Sequence, residues 1–240
     1  MMERKALPKR TIASIVMILL LIPLTIYLFW KSGNRNYLLV SLLIVMYTMI
    51  PFFMVFEARR PQAREIVVIA VMCAIAVAAR AAFIMVPHFK PMGAIVMITA
   101  VAFGPEAGFL TGAVSVLASN FIFGQGPWTP WQMFAFGIAG FLFGVIFYRK
   151  GKNEHKPIVL AIAAFLITFL IVGPLLDTCA IFTMANMIDT SSMAKIYLAG
   201  IPVNLVHASA GFITMLLFSK PLLEKLSRIK TKYGMMEDEL

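Results

Sequence analysis

The chain has 240 residues, 61% of them hydrophobic and 13% charged, with 21 Lys and Arg against 11 Asp and Glu and a net charge of +10. Soluble domains are about 45–50% apolar and about 25% charged, so an ordinary globular enzyme is excluded. The basic excess sits in short loops between apolar runs, a pattern of membrane topology and not of nucleic-acid binding.

A spanning helix needs about 20 predominantly apolar residues. Eight segments approach this: 11–30, 37–56, 66–86, 92–103, 107–123, 130–147, 158–181 and 196–218. The first two are bulky in Leu, Ile, Met and Phe, so residues 1–56 read as an N-terminal transmembrane hairpin. The run E-A-R-R-P-Q-A-R-E makes 57–65 a charged linker. The third segment carries Ala70, Ala74, Ala78 and Ala82 at every fourth position, one smooth stripe along a helix. In lipid such stripes let backbones approach closely, and the helix they meet can belong to this chain or to a partner. Segment 92–103 is short and predicts a tilted or half-embedded helix. Residues 66–218 then form a six-helix core, richer in Ala and Gly, and 219–240 a mixed basic and acidic cytoplasmic tail. The fold class is an all-α integral membrane protein of eight spans.

Sixteen of the 21 basic residues fall at the two ends and in the loops at 57–65, 104–106 and 148–156. The positive-inside bias assigns these to the cytoplasm and puts both termini there. Ionisable groups inside spans are costly and point to function. With this orientation Arg80, Asn120, Trp131, Gln132, Asp177, Asn204 and His207 all fall in the outer half of their spans. Asn204 and His207 are spaced i, i+3 and share a helix face. The Gly/Pro/Trp loop within 120–140 adds Gln125 and Trp128 at the same level. One-sided polarity predicts an outward-facing pocket and not a relay across the membrane. Blander readings stand beside this. Arg80 and Asp177 can simply neutralise each other, Trp128 can be an interfacial belt residue, and Glu106 reads as a helix N-terminal charge.

No G-x-x-x-x-G-K-S/T, H-E-x-x-H or G-x-S-x-G motif occurs, so ATP hydrolysis or hydrolase chemistry by this chain is not expected. Cys73 and Cys179 are isolated, which argues against a metal site, and no cofactor is expected.

Residues 64–218 resemble the substrate-specific (S) component of an energy-coupling factor (ECF) vitamin transporter. The resemblance rests on the Ala70/Ala74/Ala78 stripe with Arg64 before it, on G-P-E-A-G-F-L-T-G-A at 104–113, and on G-Q-G-P-W-T-P-W-Q-M at 124–133. It implies a non-enzymatic plasma-membrane capture subunit. That subunit docks through Ala70, Ala74, Ala78 and Ala82 on a transmembrane coupling subunit, works with two cytoplasmic ATPases, and releases its vitamin by toppling. It extends the site to His88, Trp128, Trp131, Gln132, Asp177, Asn186, Asn204 and His207. The 124–133 segment is most similar to the cobalamin-type members. A bulky ligand without strong negative charge is expected, because only Arg80, Lys90 and His207 are available to clamp a phosphate. The rival readings are a self-sufficient secondary carrier and an intramembrane lipid-modifying enzyme, but Asp177 and Asp189 lack the D-x-x-x-D or D-D-x-x-D pattern that enzyme needs. The family's usual six spans leave the N-terminal hairpin without an assigned role.

Overall fold

The computed structural model describes residues 20–21, 24–25, 27–28, 37–58, 61–149, 155–184 and 190–234. Every regular element among them is helical. Six helices are long and apolar enough to cross a membrane, and Met92–Phe103 is a shorter apolar helix. The predicted span at 11–30 lies largely outside the described residues. The chain divides into two compact units, 1–60 and 61–240.

In the first unit, α1 (Tyr37–Ala58) is apolar all round and holds Pro51 without ending. Its hydroxyls turn back on their own helix, Ser41 Oγ donating to Leu38 O and Thr48 Oγ1 to Val45 O, both at 2.8 Å. An apolar surround leaves a hydroxyl no better acceptor than the preceding turn.

The second unit is a six-membered bundle around α3 (Met92–Phe103), every residue of which is buried. Twelve residues rise only about 18 Å, short of the roughly 30 Å hydrocarbon core. The short segment is therefore walled in by protein, where its brevity costs nothing. Gly104, at φ 99° and fully in the interior, turns the chain straight into α4 (Pro105–Phe123). Only glycine adopts this backbone without strain.

Helix α2 (Ala63–Ala82) buries Ile69, Met72, Cys73 and Ala76, while Ala70, Ala74, Ala78 and Ala82 are exposed. Helices α4 and α5 (Thr129–Phe147) meet backbone to backbone. A Cβ on Gly112 would lie 2.6 Å from Phe136 C, one on Gly140 2.7 Å from Gly108 C, and one on Gly144 2.6 Å from Pro105 Cα. The small residues that let these two backbones touch are all glycine, as close packing in lipid requires.

The next span is α6 (Pro157–Ile167), a π-turn at Thr168–Val172, and α7 (Gly173–Met184). The π-turn shifts the register of α7 against α6. The last helix, α8 (Thr190–Tyr233), has 44 residues and passes Pro202 and Pro221. It does not stop at Phe218 as the apolar run alone predicts. Leu223 and Leu226 are each 4% exposed, so the extension has an apolar face of its own. Its end is clasped to the bundle. Lys230 Nζ donates to Ala102 O at 2.7 Å, beside the rings of Phe103 and Tyr148, and Arg64 donates to Tyr233 O at 3.1 Å.

Candidate functional site

At the opposite end of this bundle from Lys230, polar side chains from α2, α4 and α5 form one hydrogen-bonded network. Arg80 Nη1 donates to Ser119 Oγ at 2.5 Å and to Asn120 Oδ1 at 2.8 Å. Its guanidinium also lies 4.8 Å from the centre of the Phe123 ring, a favourable cation–π distance. Asn120 Nδ2 donates to Thr129 Oγ1 at 3.0 Å and to Gln132 Oε1 at 2.9 Å. Thr129 passes its own proton to Gln125 Oε1 at 2.9 Å, and Gly126 N–H donates to Thr129 Oγ1 at 3.3 Å. Gln125 Nε2 closes the chain on Leu117 O at 3.2 Å.

Asn120 is 1% exposed, and both amide protons and the carbonyl oxygen are in use inside the protein. An arginine in this setting needs such partners, because an unpaired buried charge is far more costly than a paired one. Arg80 and Asp177 do not share a hydrogen bond; each has its own amide partner. Gly124, at φ 109°, ends α4 and lets the loop turn toward α5.

A second cluster joins α7 and α8. Asn204 Nδ2 donates to Asp177 Oδ2 at 2.8 Å. Gly200 and Gly173 make this pair possible. A Cβ at Gly200 would collide with the Asp177 carboxylate, and one at Gly173 would lie 2.7 Å from Asn204 Nδ2. The π-turn just before Gly173 sets the register that brings these groups together. On the residue after Asp177, Thr178 Oγ1 and Tyr197 OH are 2.9 Å apart.

Trp131 and Phe136 of α5 bridge the two clusters. Trp131, 7% exposed, stacks on Phe182 of α7 at 5.9 Å between centroids, and Phe136 packs on His207 of α8 at 5.8 Å. Three buried nitrogens here have no hydrogen-bond partner: Trp131 Nε1, His207 Nε2 and Arg80 Nε. Buried polar atoms without partners are uncommon and call for an explanation.

Trp128, 41% exposed, and Gln125 stand at the rim. His88 is exposed with a left-handed backbone, φ 60°, in the turn between α2 and α3. Lys90, in the same turn, is half-buried. Burial, and after it the neighbouring charge of Arg80, hold its ammonium below the usual lysine range. Asn186 lies outside the described residues. Among the described residues no group of three His, Cys, Asp or Glu side chains gathers as a metal site would. A separate groove of about 380 Å³ between α6 and α8 is lined by Ile162, Phe165, Leu166, Ser209, Phe212 and Ile213. It is almost wholly apolar and lies on the flank of the bundle, so it offers nothing to orient a polar ligand.

Sequence reasoning alone leaves out Ser119, Thr129, Phe136 and Phe182. The available signals are faint: Ser119 precedes Asn120, and Thr129 sits directly before a proline that opens a helix. Phe136 and Phe182 carry no signal, being two of 20 phenylalanines.

Residues 61–224 match the family model described as the S component of the ECF-type riboflavin transporter. The chain belongs to this family. A UPF0397 protein of Clostridium perfringens (strain SM101 / Type A) is 27% identical over 154 residues, which cover 61% of this chain and 76% of the relative. No solved structure matches. The family and the apolar helices make this S component a multi-pass plasma-membrane protein, and its family is one of transporter subunits and not of enzymes. The matched stretch takes in α2 to α7 and most of α8, the whole of the two polar clusters, and none of α1.

Proposed function

We propose that this chain is the substrate-capture subunit of an ATP-driven ECF importer. In this reading both termini are cytoplasmic, as the loop charges favour, and with 11–30 included the chain crosses eight times. The Trp131 end of the bundle faces outward. The single observation that carries the reading is the pair of buried, partnerless ring nitrogens at Trp131 and His207, held by three helices, α5, α7 and α8, beside Asp177 and Asn204. Polar groups built into a rigid wall and left without protein partners are what a ligand with hydrogen-bonding groups of its own requires.

The roles divide by how each side chain is occupied. Arg80, Asn120, Gln125 and Gln132 spend their hydrogen bonds on one another and fix the wall. Trp131, Asp177, Asn204 and His207 contact the ligand. Trp128, His88 and Asn186 lie on loops that cover it. Ala70, Ala74, Ala78 and Ala82 dock on the transmembrane coupling subunit, which links the chain to two ATPases. Exposure of all four alanines supports this role.

The ligand is a vitamin-sized ring compound. The family's description favours riboflavin; the 124–133 segment is the feature that favours a corrinoid such as cobalamin. Protein purified from cells grown with both vitamins separates the two, since a flavin and a corrinoid have different visible spectra. For the transport role, proteoliposomes holding this chain, a coupling subunit and its ATPases should take up the vitamin only with ATP inside the complex's nucleotide-binding side. Uptake by the chain alone, driven by an ion gradient, would overturn the proposal.

A further inference from the structure

Past the apolar run that ends at Phe218, α8 keeps two faces of opposite chemistry. Ser219, Leu223 and Leu226 are buried against the bundle, and Lys230 on the same side donates to Ala102 O at 2.7 Å. At about 100° per residue, Lys225, Arg228 and Lys232 point nearly the opposite way, and all three are exposed. Their spacing of i, i+3 and i+7 makes them one stripe. No ion pair joins any of them to a carboxylate among the described residues. From 220 to 232 the chain has five basic residues and one acidic, Glu224.

The stripe stands where the helices of this unit reach their ends. Helix α2 begins at Ala63, α3 ends at Phe103 and α5 ends at Phe147. Arg64 donates to Tyr233 O at 3.1 Å, and Lys230 Nζ lies 5.6 Å from the Phe103 ring and 5.5 Å from the Tyr148 ring. Tyr233 is 44% exposed, and the Lys232 ammonium lies 5.5 Å from its ring. Tyrosines gather at membrane–water interfaces, and Tyr148 and Tyr233 have the exposed Arg149 and Arg64 beside them. This is the headgroup level of the bundle. Charges of either sign keep a helix face in water, whereas a row of one sign repels itself and is relieved by an anionic neighbour.

We infer that Lys225, Arg228 and Lys232, with Arg64 joined to them through Tyr233, bind the headgroups of anionic phospholipid in the leaflet at this end of the bundle. Leu223, Leu226 and Lys230 hold the helix against its neighbours, so the cations are presented as a fixed row. Each basic residue near an anionic membrane surface favours binding by about fivefold, and the arginines can take a phosphate oxygen pair in a forked hydrogen bond. This surface does not depend on the capture role, since it lies at the far end of the bundle from Trp131.

The test uses the full chain in nanodiscs of equal phosphatidylglycerol and phosphatidylcholine, with the lipids that stay bound counted by native mass spectrometry. The wild type should retain phosphatidylglycerol over phosphatidylcholine by about tenfold, and added salt should lower that ratio. The triple variant Lys225→Gln, Arg228→Gln, Lys232→Gln should bring it close to one, while its melting temperature in pure phosphatidylcholine stays at the wild-type value. Lys195→Gln removes an exposed charge toward the other end of α8 and should keep the wild-type ratio. Glu224→Gln, which takes the acid out of the segment, should raise it. An unchanged ratio in the triple variant overturns the inference, as does an equal fall in Lys195→Gln or a fall in Glu224→Gln. Residues 235–240 carry Glu237, Asp238 and Glu239. If the full chain shows no preference and a chain ending at Gly234 shows one, the stripe is answered by that acidic segment and the lipid reading fails. It fails also if the triple variant keeps its lipids but no longer co-purifies with a coupling subunit, since the stripe is then a protein contact.

Discussion

Two stripes of small residues run through this protein and meet different fates. On α4 and α5 the glycines at 108, 112, 137, 140 and 144 are buried, four of them where the two backbones touch. On α2 the alanines at 70, 74, 78 and 82 are exposed. Both obey the same rule, since small side chains permit close helix approach in lipid. The difference is that the glycine faces find each other along a tight loop of five residues, 124–128, whereas α2 turns its other side, with Ile69, Met72, Cys73 and Ala76, to the bundle. A small-residue stripe therefore marks a surface meant for close contact without saying whose surface answers it.

Substitutions at the two stripes separate them most sharply. Gly112→Leu should abolish the folded bundle, because the new side chain would enter the Phe136 carbonyl region where no flexible group can yield. Overpacking costs of about 1–3 kcal/mol or more are usual in cores, and here the obstacle is backbone. Size-exclusion chromatography in detergent should show aggregate in place of a monodisperse peak. The same substitution on α2, Ala74→Leu, should leave that peak and the melting temperature unchanged while eliminating co-purification with the coupling subunit. A destabilised Ala74→Leu protein, or one that still assembles, would erase the proposed difference between the stripes.

The network beside the glycine face should give the next largest effect. Asn120→Ala removes one of the two acceptors of Arg80 and the donors to Thr129 and Gln132. Breaking a buried charged network by taking out one partner costs about 3–5 kcal/mol, and partial exposure of Arg80 brings the expectation toward about 2 kcal/mol. Thermal unfolding followed by tryptophan fluorescence should show a fall of several degrees, and Asn120→Asp should recover part of it by pairing with Arg80.

The smallest effect is expected at the other end of the bundle. Lys230→Met removes the hydrogen bond to Ala102 O near the C-terminus of α3, where a cation contributes about 0.3–1 kcal/mol. Hydrogen exchange should then rise in the last turn of α3 and in the 219–233 extension, with the Trp131 end unaffected.

Much of the site was legible in the chain. Arg80, Asn120, Gln132, Asp177, Asn204 and His207 stand out because a polar side chain in a run of apolar ones is expensive in lipid and needs a reason. Their pairing was not legible. Charge alone matches Arg80 with Asp177, yet Arg80 is answered by Asn120 and Ser119 and Asp177 by Asn204. Partner choice depends on helix rotation, and the π-turn at Thr168–Val172 that sets α7 has no clear sequence mark. The end of α8 was hidden for a related reason. Pro221 and five basic residues between 220 and 232 read as a tail, while the contacts of Leu223, Leu226 and Lys230 that hold the helix together come from elsewhere in the fold.

By itself the sequence determined that this is a helical membrane protein, where most of its helices lie, and which side chains are too polar to be there without purpose. Those conclusions follow from transfer energies, which each segment carries alone. The tertiary structure decided which small-residue stripe is spent inside the bundle, which polar groups satisfy one another, and which are left over. Those are properties of distance and orientation between segments, and an amino-acid chain acquires them only when its helices pack.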